Sequence, residues 1–142
     1  KGYIAVGQDT DGTVTPVDLG MGRMVSKKKD FLGKRSLMRA DMTVPKRRQF
    51  VGLLTTDPKE VLPEGAHIVE QVLPNPPMKT LGHVSSSYFS PTMERSIALA
   101  MLEGGHSKMN EPVQLPLEDG RVITAKVTSP IFFDPKGDRL HA

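Results

Sequence analysis

Cysteine and tryptophan are absent from the 142 residues, and aromatic side chains make up only 5% of them. Without a thiol there is no disulfide framework, no cysteine nucleophile and no cysteine-ligated zinc or iron–sulfur centre. The same absence agrees with a reducing compartment, so a cytoplasmic setting is expected. Long apolar runs are missing too. Gly, Pro or Ser breaks every charge-free stretch short of the ~20 apolar residues that a membrane helix needs. Lys1-Gly2-Tyr3 opens no apolar region of the secretory kind, and a first residue other than Met reads as either a processed start or a piece of something longer.

Glycine and proline are plentiful instead, at 13 and 12 residues, in a chain that is 37% hydrophobic and 25% charged. That mixture describes a folded domain of short strands joined by turns rather than disorder or a coiled coil. The formal charge of +3 is unevenly placed. From Arg23 to Arg48, ten basic residues face only Asp30 and Asp41, a surplus of eight, which leaves the rest of the chain at −5. Such a run suggests a phosphate or nucleic-acid contact. However, only Phe31 is interleaved with it, and no helix-turn-helix, RNA-recognition or zinc pattern accompanies it. A solvated connector, or a surface meeting an acidic neighbour, is the better account, and neither a nucleic-acid nor a membrane partner is expected.

Turn formers dominate Gly7 to Thr13. Thr15-Pro16 then suits a helix start, with Thr15 as N-cap and Pro16 in the first helical position, ending at Gly20 or Gly22. Arg23-Met24-Val25 reads as a brief strand, and Phe31 to Met38 as one or two helical turns. Too few apolar residues lie before Pro45 to bury a core, so this part should pack against something else. Six strands are expected beyond it, at 49–55, 67–71, 80–85, 96–102, 112–117 and 121–127, the last two joined by the Asp119-Gly120 turn. Val122, Thr124 and Lys126 fall on one face of the sixth. Short strands at this spacing argue for a small antiparallel barrel or sandwich.

Catalytic patterns are thin. His67, His83, His106 and His141 lack metal-ligand spacing, and hydrogen-bonded structural roles suit His67 and His83 within strands. No nucleophile-elbow, P-loop or dinucleotide glycine pattern occurs. Asp9 and Asp11 begin like a calcium loop, but its twelfth position would be Gly20, so loop stabilisation is expected. No catalytic and no metal-binding residue is therefore assigned.

The order of segments carries a resemblance. Gly7-Gln8-Asp9 with Thr15-Pro16, Asp18-Leu19-Gly20, Phe31-Leu32-Gly33-Lys34-Arg35-Ser36-Leu37, Phe50-Val51-Gly52-Leu53, Leu62-Pro63-Glu64-Gly65-Ala66, Gly82-His83-Val84-Ser85 and Ser90-Pro91-Thr92 resemble the glycine-cleavage aminomethyltransferase (T-protein) superfamily over nearly the whole chain. Within it, Gly7 to Thr13, Val25 to Phe31 and Pro130 to Leu140 look like the branch of heterotetrameric sarcosine oxidase α subunits. Dimethylglycine dehydrogenase and stand-alone T-proteins are the alternatives inside the superfamily. A non-enzymatic binding module using residues 23–48 is the alternative outside it.

The resemblance implies a mainly β fold: a small antiparallel, Greek-key-like barrel at 46–142, preceded by a short α/β leader at 1–45 that is the incomplete tail of a folate-binding domain. It also implies a parent enzyme of one-carbon metabolism, which oxidises sarcosine and passes the one-carbon unit to tetrahydrofolate. FAD, FMN and NAD would be bound outside this chain, with the rest of the α subunit and the other subunits as partners. The isolated chain would be inactive. Phe132 and Phe133 fall where the family places an aromatic near the folate, so they are the cofactor-binding candidates, by stacking or walling. Two aromatics filling a β core is the competing reading.

Overall fold

Alternation decides which way each strand faces, and the closure of the sheet follows from it. The computed structural model of the chain describes residues 1–140, so His141 lies outside the described residues. The strands are β1 (Arg48–Thr55), β2 (His67–Val69), β3 (Thr80–Ser90), β4 (Arg95–Glu103), β5 (Pro112–Pro116) and β6 (Val122–Thr128). On β6, Ile123, Ala125 and Val127 are buried, whereas Val122, Thr124 and Lys126 are exposed. This is the period-2 pattern of a strand with one wet face.

The six strands form a closed barrel in the order β1-β4-β3-β2-β5-β6, and β6 pairs back on β1. All neighbours are antiparallel. Three hairpin-connected strands, β2 to β4, with β1 returning beside β4, make the Greek key. The inward side chains Val51, Leu53, Ile68, Val84, Leu102, Leu115 and Val127 fill the interior, with Ala98, Ala100 and Ala125 between them. Alternating large and small residues suits a narrow barrel that side chains must fill completely.

β3 and β4 extend beyond their expected ends, because the turn at 91–94 comes only after β3 has run to Ser90. The sequence expectation fails at Arg23-Met24-Val25. Gly22–Met24 is a 3-10 turn, in which the Met21 carbonyl accepts from the Met24 N–H at 2.9 Å and the Gly22 carbonyl from the Val25 N–H at 3.2 Å. This segment joins none of the barrel's ladders. The other leader elements are a 3-10 turn at Ser36–Met38, one α turn at Ala40–Thr43 and a lone bridge between Val6 and Thr10. The leader's fully buried residues are Asp9, Thr15 and Asp18, all polar, so it contributes nothing to the apolar core.

Candidate functional site

Thr15 to Met21 folds into a single capped turn that anchors the site. The Thr15 hydroxyl accepts from the Asp18 N–H at 3.3 Å, and the Asp18 carboxylate accepts from the Thr15 N–H and hydroxyl at 2.8 Å each. This is a reciprocal capping box with Asp in the third position. At the far end, the Met21 N–H reaches the Pro16 carbonyl at 2.8 Å and the Gly20 N–H the Val17 carbonyl at 3.0 Å. Gly20 sits at φ +74°, so the turn closes with a Schellman motif for which glycine is the natural residue.

Asp18 also clasps the barrel. Its carboxylate takes Arg47 Nε at 3.0 Å on both oxygens and Nη2 at 2.7 Å, while Nη1 and Nη2 also reach the carbonyls of Asp41 and Thr13. Burial pushes the Asp18 carboxyl up, but the Arg47 guanidinium and the Thr15 donors outweigh it and hold the group below the usual carboxylate range. The Asp18 carbonyl accepts the Phe50 N–H at 2.8 Å, on the β1 edge that β6 does not reach.

This clasp sets residues 1–14 against the outer face of β3 and β4. Between them lies a cavity of about 300 Å³, walled by Tyr3, Tyr88, Leu99 and Phe132, with Gln8 and Asp9 as its polar edge. The Gln8 side-chain amide donates to the Ser85 carbonyl. Asp9 is 3% exposed. One of its oxygens accepts the Ala5 N–H at 2.7 Å, and the other, Oδ1, has no donor. A buried carboxylate oxygen without a donor is costly and favours an N–H group brought by a ligand. A second cavity of about 350 Å³ shares Gln8 and Asp9 and is lined beyond them by Arg47, Arg48 and His83. Burial first, then the charges of Arg48 and His67, push the His83 imidazole below its usual value.

Phe132 and Phe133, adjacent in sequence, have different surroundings. Phe132 packs over Gly52 of β1, where a Cβ would come within 2.7 Å of its ring, and lines the first cavity. The close approach explains the glycine. Phe133 instead lies under Arg139, whose guanidinium carbon is 5.0 Å from the ring centroid, a cation–π contact. A Lys1–Asp134 ion pair ties this tail segment to the start of the leader.

His67 and His83 face each other across the β2–β3 ladder, while His106 lies in the turn after β4. His67 Nδ1 lies 3.3 Å from the Thr80 hydroxyl, and His106 Nε2 lies 3.2 Å from the Phe50 carbonyl. No cluster of three metal-ligating side chains exists among the described residues. Asp11 stabilises its loop as expected, accepting from the Thr13 N–H at 2.7 Å and the Thr13 hydroxyl at 2.6 Å. Sequence reasoning missed Tyr3 and Tyr88, which only the wrap of the leader brings together. It gave Asp9 a loop role that one of its two oxygens fulfils. Among the described residues, no helix is long and apolar enough to cross a membrane.

A barrel of this topology under a clasped leader defines a known class. The family model of the glycine cleavage T-protein C-terminal barrel domain matches residues 48–134, and the chain belongs to that family. The solved structure of glycine cleavage system aminomethyltransferase T from Bartonella henselae superposes with a TM-score of 0.72 over 90% of this chain and 34% of that one, at 23% identity. Among curated proteins, sarcosine oxidase subunit alpha from Corynebacterium sp. strain U-96 is 41% identical over 98% of this chain, and that from strain P-1 is 43% identical over 98%. The aminomethyltransferase of Thermotoga petrophila is 29% identical over 92%. The chain spans 14% of the length of the two sarcosine oxidase subunits and 33% of that aminomethyltransferase. The expected mainly β barrel and the expected superfamily are thus both found, and the chain is homologous to part of the sarcosine oxidase α subunit.

Proposed function

We propose that this chain is the C-terminal aminomethyltransferase-like module of a sarcosine-oxidising enzyme and supports capture of the one-carbon unit by tetrahydrofolate. The observation that carries the reading is the 41–43% identity to sarcosine oxidase α subunits across 98% of the chain, against 29% to the Thermotoga petrophila aminomethyltransferase. In this reading residues 1–45 are the tail of a folate-binding domain and residues 46–142 the barrel domain. The rest of the α subunit and the other subunits are its partners, in a cytoplasmic complex.

The first cavity suits the folate. Tyr3, Tyr88 and Phe132 wall a space for a planar ring, and the unpartnered Asp9 Oδ1 offers an acceptor to a ring N–H. Bound tetrahydrofolate would supply the nitrogens that accept the one-carbon unit. What this chain's residues do is exclude water with the aromatic wall and orient the ring through Asp9. Phe133 is engaged by Arg139 and does not line this cavity. For FAD, FMN and NAD the residues do not fit: no glycine-rich phosphate-binding turn stands in the sequence, and these groups belong outside the chain.

Titration with 5-formyltetrahydrofolate, a stable folate, followed by intrinsic tyrosine fluorescence, tests the reading. Phe132→Ala and Asp9→Asn should each weaken binding about tenfold, the loss of one good contact, and Phe133→Ala should weaken it less. Equal affinity in Phe132→Ala would refute the site. Sarcosine oxidation by the purified chain alone would refute the division of labour.

A further inference from the structure

The barrel is closed by a single weak joint on the side away from the leader. β2 and β5 share one register pair, Val69 with Gln114. The cause lies in β5. The Leu117 N–H donates to the Arg121 carbonyl at 2.8 Å, so in the β5–β6 register the odd residues 113, 115 and 117 bond across to β6. Residues 112, 114 and 116 therefore turn their main-chain groups toward β2. Of these three, Pro112 and Pro116 have no N–H to give, and the ladder ends on both sides of Gln114. Counting back from the Val69–Gln114 pair places His67 opposite Pro116, which has no N–H to give, so the His67 carbonyl lacks a β5 donor.

A space opens on each side of that rung. One of about 370 Å³ adjoins Pro112 and Glu70. The larger, of about 690 Å³, lies beside His67 and Pro116. The larger groove has an apolar floor of Ala66, Val69, Met78 and Leu117. Its rim carries Glu64, Glu118 and Asp119 against one cation, Arg121. That cation is already held by Asp119 at 2.7 Å and by Glu60 at 2.8 Å. The rim is therefore net acidic.

We propose that this groove is a docking site for an extended segment of a partner protein that alternates apolar residues with Lys or Arg. The segment donates a main-chain N–H to the His67 carbonyl, sets its apolar side chains on Leu117 and Met78, and places its cations against Glu64 and Glu118. A strand carbonyl without a donor offers a main-chain bond to any extended chain, and the acidic rim selects the cationic one. The site is separate from the folate cavity and does not depend on it.

The test is an NMR titration of the isotope-labelled chain with two blocked pentapeptides, Lys-Val-Lys-Val-Lys and Glu-Val-Glu-Val-Glu. Saturable shifts at residues 64–69 and 116–121, with the lysine peptide at least tenfold tighter, are expected. Glu118→Lys should remove that preference. Pro116→Val restores the missing N–H, zips the joint and should weaken the lysine peptide at least tenfold, with the β1–β4 amide signals in place. If Pro116→Val does not fold, Leu117→Asp serves as the blocking variant. Shifts confined to the leader, equal binding of the glutamate peptide, or no saturable shift would overturn the proposal. So would concentration-dependent shifts at the groove without peptide, which would make a second copy the occupant.

Discussion

Replacing Asp18 with Ala should release the leader while leaving the barrel intact. In the folded chain the carboxylate accepts from the Thr15 N–H and hydroxyl at 2.8 Å, from Arg47 Nε at 3.0 Å and from Nη2 at 2.7 Å. The side chains of Asp18 and Arg47 are 3% and 17% exposed, so the pair is largely desolvated. Removing one member of such a pair costs about 3–5 kcal/mol, because the other charge is left without its counterion. At about 1.4 kcal/mol per factor of ten, leader opening becomes at least ~100-fold more frequent. Amide hydrogen exchange reads this directly. The Phe50 N–H, bonded to the Asp18 carbonyl, and the Met21 N–H, bonded to the Pro16 carbonyl, do not touch the carboxylate and should exchange at least ~100-fold faster. Amides in the β1–β4 ladder, such as Ala100, should keep their rates. The same leader amides should lose protection in the native chain on acidification. The folded-state pKa of Asp18 is depressed, so its contribution is complete above the ordinary carboxylate value near 4 and disappears as pH falls through the lower folded value. Acceleration below tenfold at Phe50, or equal acceleration in the ladder, would show that the clasp does not hold the leader as a separate unit.

Three further substitutions probe the rest of the molecule. Leu102→Ala, at a fully buried barrel position, should cost about 2–5 kcal/mol in urea unfolding. Gly52→Ala places a methyl 2.7 Å from the Phe132 ring and against the Ser129 carbonyl, so it should cost about 1–3 kcal/mol and also weaken folate binding as Phe132 shifts. Lys126→Glu, on the outward face of β6, should leave the melting midpoint within the equivalent of about 0.5 kcal/mol, and a larger loss would mean that face is covered.

The barrel was legible because each strand carries its own evidence. Ile123, Ala125 and Val127 alternate with exposed partners, and the runs around Leu53 and Ala100 are apolar enough to be central strands. Strand ends were less legible, since the serine run Ser85 to Ser87 breaks the apolar pattern although β3 continues through it opposite β4. Arg23-Met24-Val25 has strand chemistry but folds into a local 3-10 turn, and no local pattern reports which segments the sheet elsewhere will pair. The Thr15 cap was readable because both partners lie within three residues. The ion pair from Asp18 to Arg47 spans 29 residues and left no local trace. Phe132 was singled out by resemblance. That its ring faces a cavity, while Phe133 is occupied by Arg139, depends on Gly52 and on the path of the tail.

The joint between β2 and β5 also sets how the molecule comes apart. Hairpin β5–β6 is secured to β1 from Gly52–Thr128 through Thr55–Ala125, but to β2 by Val69–Gln114 alone. In hydrogen-bonding terms the barrel is a curled sheet with one latch. Thermal or mechanical stress should part the latch first, swing the hairpin outward on β1 as a hinge, and expose Ile68 and Leu115 before the β3–β4 ladder loosens. Two prolines thus give a closed barrel a preferred direction of opening.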